Sequence, residues 1–199
     1  MTMYVKPPWA LAAPQPKPED TTRFFLQWYR TDRVIRRIAG VFMLSPSREG
    51  EEGERGVVDG PTHRRVRKLL DDYDLVRVVN MSPVRASTTE RLAELEAEEV
   101  EKVRRYKPAY GDGAALDFLF GGQKVNIDFA FKNAEVLVAA WGGLPVPTPL
   151  MVKTAVYLKL VYGGDPRWRC WGTTKAGDPL HPSPLGKVKM GAALVPFHF

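Results

Sequence analysis

The chain has 199 residues, of which 44% are hydrophobic, and this is enough for one globular domain with its own core. Its formal net charge of +6 favours polyanionic partners such as nucleic acid, although charge alone does not identify one. The single cysteine excludes an internal disulfide, and the lack of a secretory signal or of any apolar run near ~20 residues predicts a cytoplasmic protein without a membrane segment.

The amino-terminal part of the chain is predicted to contain an arm, a strand and a loop. Residues 1–20 are rich in proline and are expected to form an extended arm ahead of a single domain of residues 21–199. Residues 21–30 carry aromatic and basic side chains that fit a short strand or a helix near the sheet edge. The apolar centre of residues 36–47 predicts a buried strand, and the glycine-rich, charged segment 48–60 predicts a mobile surface loop.

A helix, a strand and a second helix are predicted next. Residues 61–73 begin with proline and carry an apolar seam, which is typical of a helix packed on one side. Residues 75–80 are an apolar run that predicts a second buried strand. Residues 87–106 place acids early and bases late, which suits the dipole of a long helix with an exposed, salt-bridged face.

The second half of the chain continues this alternation. Residues 107–122 are rich in glycine and are expected to be irregular, and residues 126–134 predict only a short helix. Apolar runs at residues 135–143 and 166–174 predict the third and fourth buried strands, with a helix at residues 147–163 between them.

Strands that alternate with helices predict an α/β protein, built as a three-layer sandwich with a central, mostly parallel, four-stranded sheet. Such sheets bind ligands outside the carboxyl ends of their strands. The unusual residues of this chain follow those ends: Ser45-Pro46-Ser47, Asn80, Trp141-Gly142 and His181. We therefore expect four distant positions to converge on one rim.

The segment that begins at His181 reads His-Pro-Ser-Pro-Leu and is suited to binding a phosphate. Proline lacks an N–H, so the alternation leaves amide donors at Ser183 and Leu185, while Lys187 and Lys189 add positive charge. His181 would then point into the pocket and donate a hydrogen bond to a leaving group. The alternative is a rigid loop whose histidine only caps a strand.

Polar residues near the second strand end allow functional and structural interpretations. The Asn80 amide has an acceptor and a pair of donors, which can read the edge of a nucleobase or bond the next turn of the backbone. Arg85 follows it and is either a phosphate ligand or an ordinary surface arginine.

Basic residues also crowd the start of the first helix. His63, Arg64 and Arg65 follow Asp59 closely. The functional interpretation is a phosphate-binding edge with a carboxylate that faces the pocket. The structural interpretation is a helix cap with a solvated basic face.

Neither a cofactor nor a metal ion is expected. One cysteine and three scattered histidines provide no spacing like that of a zinc site. The glycine-rich motifs that bind nucleotides and the G-x-S-x-G nucleophile elbow are absent from the sequence.

Five segments together resemble a bacterial domain family without an assigned activity: VFMLSPS, VVDGPTHRR, VRVVNMSPVRAS, VLVAAWGG and WRCWGTTKAGDPLHPSPLG. The family pattern is a strand that ends in Asn-Pro-Ser, then Asp-x-Pro-Thr-x-Arg-Arg, a strand-end Asn, a Trp-Gly strand end and Gly-x-Pro-x-His-Pro. The resemblance covers residues 23–186, and the ordered set is specific although each motif is weak.

That pattern in turn resembles the uracil-DNA glycosylase superfamily, whose members carry a water-positioning motif, a base-reading asparagine and a His-Pro-Ser-Pro-Leu loop. The resemblance implies that Asn80 reads the base and that His181 stabilises the leaving group. It also implies that Ser183 contacts a phosphate and that Leu185 fills the gap left by a flipped base.

Position 45 departs from the superfamily, which often has Asp or Asn there. Ser45 can hold a water molecule but is a poor base at neutral pH. Three alternatives stay open: Asp59 or an acid of residues 49–54 substitutes for it, the chemistry needs little base help, or hydrolysis is lost and binding remains.

The main hypothesis is therefore a monomeric DNA glycosylase-like hydrolase, in DNA repair or phage defence. It would flip a damaged or modified base, including a hypermodified phage base, from single- or double-stranded DNA and cleave its N-glycosidic bond. Ser45 or Asp59 would orient the water. The residues expected to contact DNA are Ser47, His63, Arg64, Arg65, Arg85, Ser183, Leu185, Lys187 and Lys189. The alternatives are a non-catalytic nucleic-acid-binding module with a vestigial base pocket, and a hydrolase of free nucleosides or nucleotides.

Overall fold

The computed structural model of the chain describes residues 9–11, 22, 26–45, 52–53, 56–57, 60–86, 89–109, 111–143, 147–183 and 187–199. The strands in these ranges are β1 Trp9–Leu11, β2 Leu26–Arg30, β3 Ile38–Met43, β4 Glu52–Gly53, β5 Gly56–Val57, β6 Leu75–Asn80, β7 Val136–Ala139, β8 Trp168–Cys170 and β9 Val195–Pro196. The helices are α1 Pro61–Leu69, α2 Thr89–Tyr106, α3 Asp112–Phe131 and α4 Pro149–Tyr162.

Seven strands form one mixed sheet in the order β1-β2-β6-β3-β7-β8-β9. The four predicted strands are β3, β6, β7 and β8, and neighbours among them pair in parallel. Antiparallel strands extend both edges, with β2 and β1 beyond β6 and β9 beyond β8. The observed sheet is therefore larger than the predicted sheet of four strands, because antiparallel strands with weak apolar patterns extend it on both sides. β4 and β5 pair separately as a small hairpin.

The parallel strands are buried on both faces, which explains their almost continuous apolar sequences. Alternate side chains divide between two cores. Phe42, Val79 and Ala139 belong to one core, together with side chains of α2, α3 and α4. Val41 and Val78 belong to the other core, which α1 covers. Helices thus lie on both faces of the sheet, as predicted for an α/β protein.

The prediction for residues 107–134 is wrong, because one continuous helix, α3, occupies most of this segment. Its buried side chains follow a spacing of about four residues: Ala115, Leu119, Gln123, Ile127 and Phe131. Internal glycines each cost a helix about 1 kcal/mol relative to alanine, but packing of this stripe against the sheet outweighs that cost. Although α3 has 20 residues, no helix in the described part of the chain is long and apolar enough to span a membrane.

The amino-terminal segments also join the sheet. Of the two alternatives for residues 21–30, the strand is confirmed over Leu26–Arg30, which pairs antiparallel with β6. Trp9–Leu11 lies within the expected arm and pairs antiparallel with β2. The boundary predicted at residue 20 therefore falls between two paired strands.

Candidate functional site

The carboxyl ends of three parallel strands are level at one edge of the sheet. Asn80 at the end of β6 is in register with Met43, and Ala139 of β7 is in register with Phe42. Beyond the strands, the Ser82 N–H still donates to the Leu44 carbonyl at 3.1 Å. Strands lie about 4.8 Å apart, so the end of β6 is about 10 Å from the end of β7 across β3.

A crevice is expected at this edge because the chain reverses direction around β3. α1 connects β3 to β6 on one face of the sheet, whereas α2 and α3 connect β6 to β7 on the other. Helices that leave a sheet on opposite faces open a crevice outside the carboxyl ends of the strands between them. Ser45, which is half-buried, follows β3, and Trp141-Gly142 follows β7 at this point.

The segment after β8 returns to this edge and brings His181 against the end of β7. The Gly142 N–H donates to the Pro179 carbonyl at 2.9 Å, and the Leu180 N–H donates to the Gly172 carbonyl at 2.9 Å. A Cβ on Gly142 would lie only 3.1 Å from the His181 Cβ, and Gly142 has a φ of +78°. Glycine is therefore required at this position both for its backbone conformation and for the close approach of the histidine.

The local contacts fix the protonation state of His181. Its Nδ1 accepts a hydrogen bond from the Ser183 N–H at 3.1 Å. Burial lowers the pKa of the imidazole below its ordinary value, so the ring is neutral at neutral pH. A neutral ring that accepts at Nδ1 carries its proton on Nε2. His181 is thus oriented as a hydrogen-bond donor without a positive charge.

Asn80 is 3% exposed and keeps its side-chain amide available. Strand alternation directs this side chain to the face covered by α1, opposite to that of Val79. The Asn80 carbonyl accepts a hydrogen bond from Gln123 Nε2 of α3. Among the described residues, the Asn80 side chain makes no hydrogen bond, so both its donors and its acceptor are available to a ligand.

Gln123 is a residue of this site that sequence reasoning missed. Its side chain is fully buried within the apolar stripe of α3, and it holds the backbone of Asn80 from the opposite face of the sheet. A glutamine in the middle of a stripe of buried aliphatic residues is the feature that would have indicated it. The prediction that this part of the chain is irregular concealed that feature.

Some of the basic residues that were predicted to contact DNA make structural contacts within the protein, and others are exposed. Arg65 donates from Nη2 to the Val188 carbonyl, so it fastens α1 to the carboxyl-terminal segment. This contact brings the exposed Arg64 of α1 into the same region as the exposed Lys187 and Lys189. These three side chains form a basic surface that would suit phosphates.

His63 belongs to the core rather than to the predicted DNA-binding surface. It is 3% exposed, and its ring centroid lies 6.4 Å from that of Trp28. Arg67 is also buried, with its guanidinium 4.1 Å above the Trp28 ring. The basic face of α1 is therefore smaller than its sequence implies, because His63 and Arg67 lie on the side of this short helix that faces the sheet.

The other predicted site residues are only partly placed. Ser183 and Arg85 are half-buried, and Ser183 contributes its backbone N–H to the His181 contact. Ser47, Asp59 and Leu185 lie outside the described residues, so their roles stay predictions.

Glu96 of α2 is a buried acid near this edge that the sequence placed on an exposed face. It is 3% exposed, and its Oε1 accepts a hydrogen bond from the Thr148 hydroxyl at 2.6 Å. Burial raises the pKa of this carboxyl, and hydrogen bonds from the Thr148 and Ser82 hydroxyls and the Leu150 N–H partly offset the increase. Because Thr148 also caps α4, Glu96 ties α2 to α4 and to the turn after β6.

Taken together, these features define an α/β protein with a mixed sheet and polar side chains at the carboxyl ends of its parallel strands. The chain belongs to the family described as "Protein of unknown function (DUF1643)", whose model matches residues 23–183. The match covers nearly the same residues as the resemblance found in the sequence. No curated protein and no solved structure matched the chain, and no comparison connects it with uracil-DNA glycosylases.

Proposed function

We propose that this protein is a DNA glycosylase-like hydrolase that flips a damaged or modified base out of DNA and cleaves its N-glycosidic bond. The observation that carries the proposal is the presence of Asn80 and a neutral His181 at the same edge of the sheet. One group can recognise a base, and the other can stabilise its departure. The ordered motifs that resemble the uracil-DNA glycosylase superfamily give further support, and we propose the three-layer arrangement of that superfamily for this domain.

Asn80 would recognise the extruded base. A carboxamide offers an acceptor and two donors in one plane, which matches the polar edge of a nucleobase. A base inside the duplex cannot reach this buried group, so recognition requires extrusion at a cost of a few kcal/mol. The hydrogen bond from Gln123 to the Asn80 carbonyl fixes the strand end and reduces the freedom of the amide.

His181 would stabilise the base as it leaves. When the bond between C1′ and the base nitrogen breaks, its electron pair moves to the base and negative charge develops there. The Nε2–H of a neutral imidazole donates a hydrogen bond to that charge, and the buried setting strengthens the interaction. Close packing on Gly142 holds the ring in place, so little reorganisation is needed during the reaction.

The exposed cations beside the crevice would hold the DNA backbone. Arg64, Lys187 and Lys189 supply charge, Ser183 adds a hydroxyl near the histidine, and Arg85 adds a further donor in the segment after β6. Each phosphate that a cation neutralises contributes about 0.9 to the slope of log affinity against log salt concentration. DNA binding is therefore expected to weaken steeply with salt, whereas action on free nucleosides is expected to be insensitive to it.

An excision assay tests this proposal. Single-stranded and duplex oligonucleotides, each with one uracil, hypoxanthine, alkylated purine or hypermodified pyrimidine, are incubated with the protein and then cleaved with alkali at abasic sites. We expect cleavage for one class of base, and Asn80→Asp is expected to change the preferred base because an acceptor replaces the amide donors. Asn126→Asp of α3 serves as the control. If no oligonucleotide yields an abasic site although the folded protein binds DNA, the proposal is wrong.

The serine at position 45 favours a second candidate, which is a nucleic-acid-binding module that has lost hydrolysis. Serine does not remove a proton from water at neutral pH without a base. This candidate predicts DNA binding without base release, and it predicts that Ser45→Asn restores no activity.

A further inference from the structure

The proposed reaction needs a group that accepts a proton from water, and most described carboxylates are unsuited to this role. Five of them lie near the amino ends of the parallel strands, at the end of the sheet opposite to Asn80. They are ion-paired or hydrogen-bonded there: Asp32, Asp71, Asp74, Glu135 and Asp165. Glu96 is buried and bonded to Thr148. The five ion-paired acids lie away from the strand ends that hold Asn80, whereas the Glu96 carboxyl is near that edge but is engaged by Thr148.

Asp178 differs from these acids in its position. It lies in the segment between β8 and His181, where the Thr174 N–H donates to the Asp178 carbonyl at 2.7 Å. A Cβ on Gly143 would lie 3.8 Å from Asp178 Oδ2. The neighbouring Gly142 contacts His181. Asp178 and His181 therefore border the same pair of glycines at the end of β7.

The Asp178 carboxylate also has no structural task in the described part of the chain. It is half-buried, and neither oxygen accepts a hydrogen bond or forms an ion pair with a described residue. The oxygens of a carboxylate without a protein partner can accept a hydrogen bond from a bound water molecule. Its place beside Gly143, next to the glycine that packs on His181, gives it the defined position that general base catalysis requires.

We infer that Asp178 is the general base of this site and supplies the carboxylate that position 45 lacks, an assignment that rests on the proposed function. Asp178 would accept a proton from a water molecule as the water oxygen forms a bond to C1′. The bond between C1′ and the base nitrogen breaks, and its electron pair leaves with the base, which accepts the hydrogen bond from His181 Nε2. The immediate products are the anion of the base, an abasic sugar and a protonated Asp178, and the base anion takes up a proton from solvent when it leaves.

Asp178→Asn tests this assignment under single-turnover conditions, with the oligonucleotide that the intact protein cleaves best. Removal of a general base is expected to lower the rate of base release by about 10²–10⁴-fold without changing DNA affinity. The pH dependence of the rate is measured as well, and Asp178→Asn is expected to alter it because a carboxamide does not accept a proton from water. Glu98→Gln, which neutralises an exposed acid of α2, is expected to match the intact protein in rate and pH profile.

The outcomes separate the two proposals. If the intact protein releases base and Asp178→Asn releases it at the same rate with the same pH profile, the Asp178 assignment is overturned and the proposed function stands. If the intact protein releases no base from any oligonucleotide, the proposed function and the assignment that rests on it are both overturned.

Discussion

Replacement of Gly142 by alanine tests the packing that positions His181. A normal contact between two carbon atoms is about 3.5–4.0 Å, whereas the new Cβ would lie 3.1 Å from the His181 Cβ, so the histidine must retreat by about 0.5 Å. The φ of +78° adds a backbone cost of roughly 1–2 kcal/mol for any residue with a Cβ. Both effects occur at one position, and a matched variant is needed to separate them.

Gly177→Ala is that variant. Gly177 lies in the same segment with a φ of +92°, and a Cβ there would meet nothing within 4 Å. Gly177→Ala should lose roughly 1–2 kcal/mol of unfolding free energy in urea titrations from its backbone conformation, and Gly142→Ala should lose more because it adds the contact with His181. Only Gly142→Ala should slow base release, by about 10- to 100-fold, because a displacement of about 1 Å can cost 10²-fold. Equal rates for the two variants would refute the claim that Gly142 positions a catalytic histidine.

Three further predictions concern stability and DNA binding. Gln123→Met leaves the Asn80 carbonyl without its donor and should lower the unfolding free energy by about 1–3 kcal/mol in urea titrations, and an unchanged value would contradict that contact. Burial raises the pKa of the Glu96 carboxyl, so the folded protein binds the carboxyl proton more tightly than the unfolded chain does. The free energy of unfolding therefore falls as pH rises through the raised pKa. Glu96→Gln should remove this loss of stability, which begins as pH rises above the ordinary pKa of glutamate, and an identical profile would exclude Glu96 as its source. Lys187→Ala and Lys189→Ala should each reduce the salt slope of DNA binding by about 0.9 in fluorescence titrations, and unchanged slopes would place the phosphates elsewhere.

The parallel centre of the sheet could be predicted from the sequence because its strands are buried on both faces. Such burial requires almost uninterrupted apolar residues, and the runs near Val41, Val78 and Val138 stand out from their charged surroundings. The antiparallel strands lack this pattern, since β2 alternates buried and partly buried residues and β1 and β9 are very short. β9, for example, contains only Val195 and Pro196, and both are exposed.

The errors arose where tertiary packing opposes local preference. Glycines in α3 made this helix look irregular, although it carries a buried stripe whose carboxyl-terminal part belongs to the core on one face of the sheet. His63 and Glu96 were expected at the surface because sequence spacing alone does not reveal which side of a charged helix faces inward.

The sequence could predict where the residues of the candidate site lie along the sheet, but it could not predict their side-chain contacts. Residues that follow parallel strands must share an edge, so Asn80 and Gly142 could be placed together from the sequence. The tautomer of His181 depends on a hydrogen bond from Ser183, and the position of Asp178 depends on how its loop folds back on Gly143. Neither contact leaves a periodic pattern in the sequence.

The central claim is that the edge of the sheet with Asn80 and His181 releases a base from DNA. Mass spectrometry of free base, after incubation of the oligonucleotide panel with the intact protein and with His181→Ala, measures this directly. The account predicts that the intact protein releases one class of base and that His181→Ala releases it at least about 10²-fold more slowly. Equal release by both proteins, or no free base from any oligonucleotide, would contradict it.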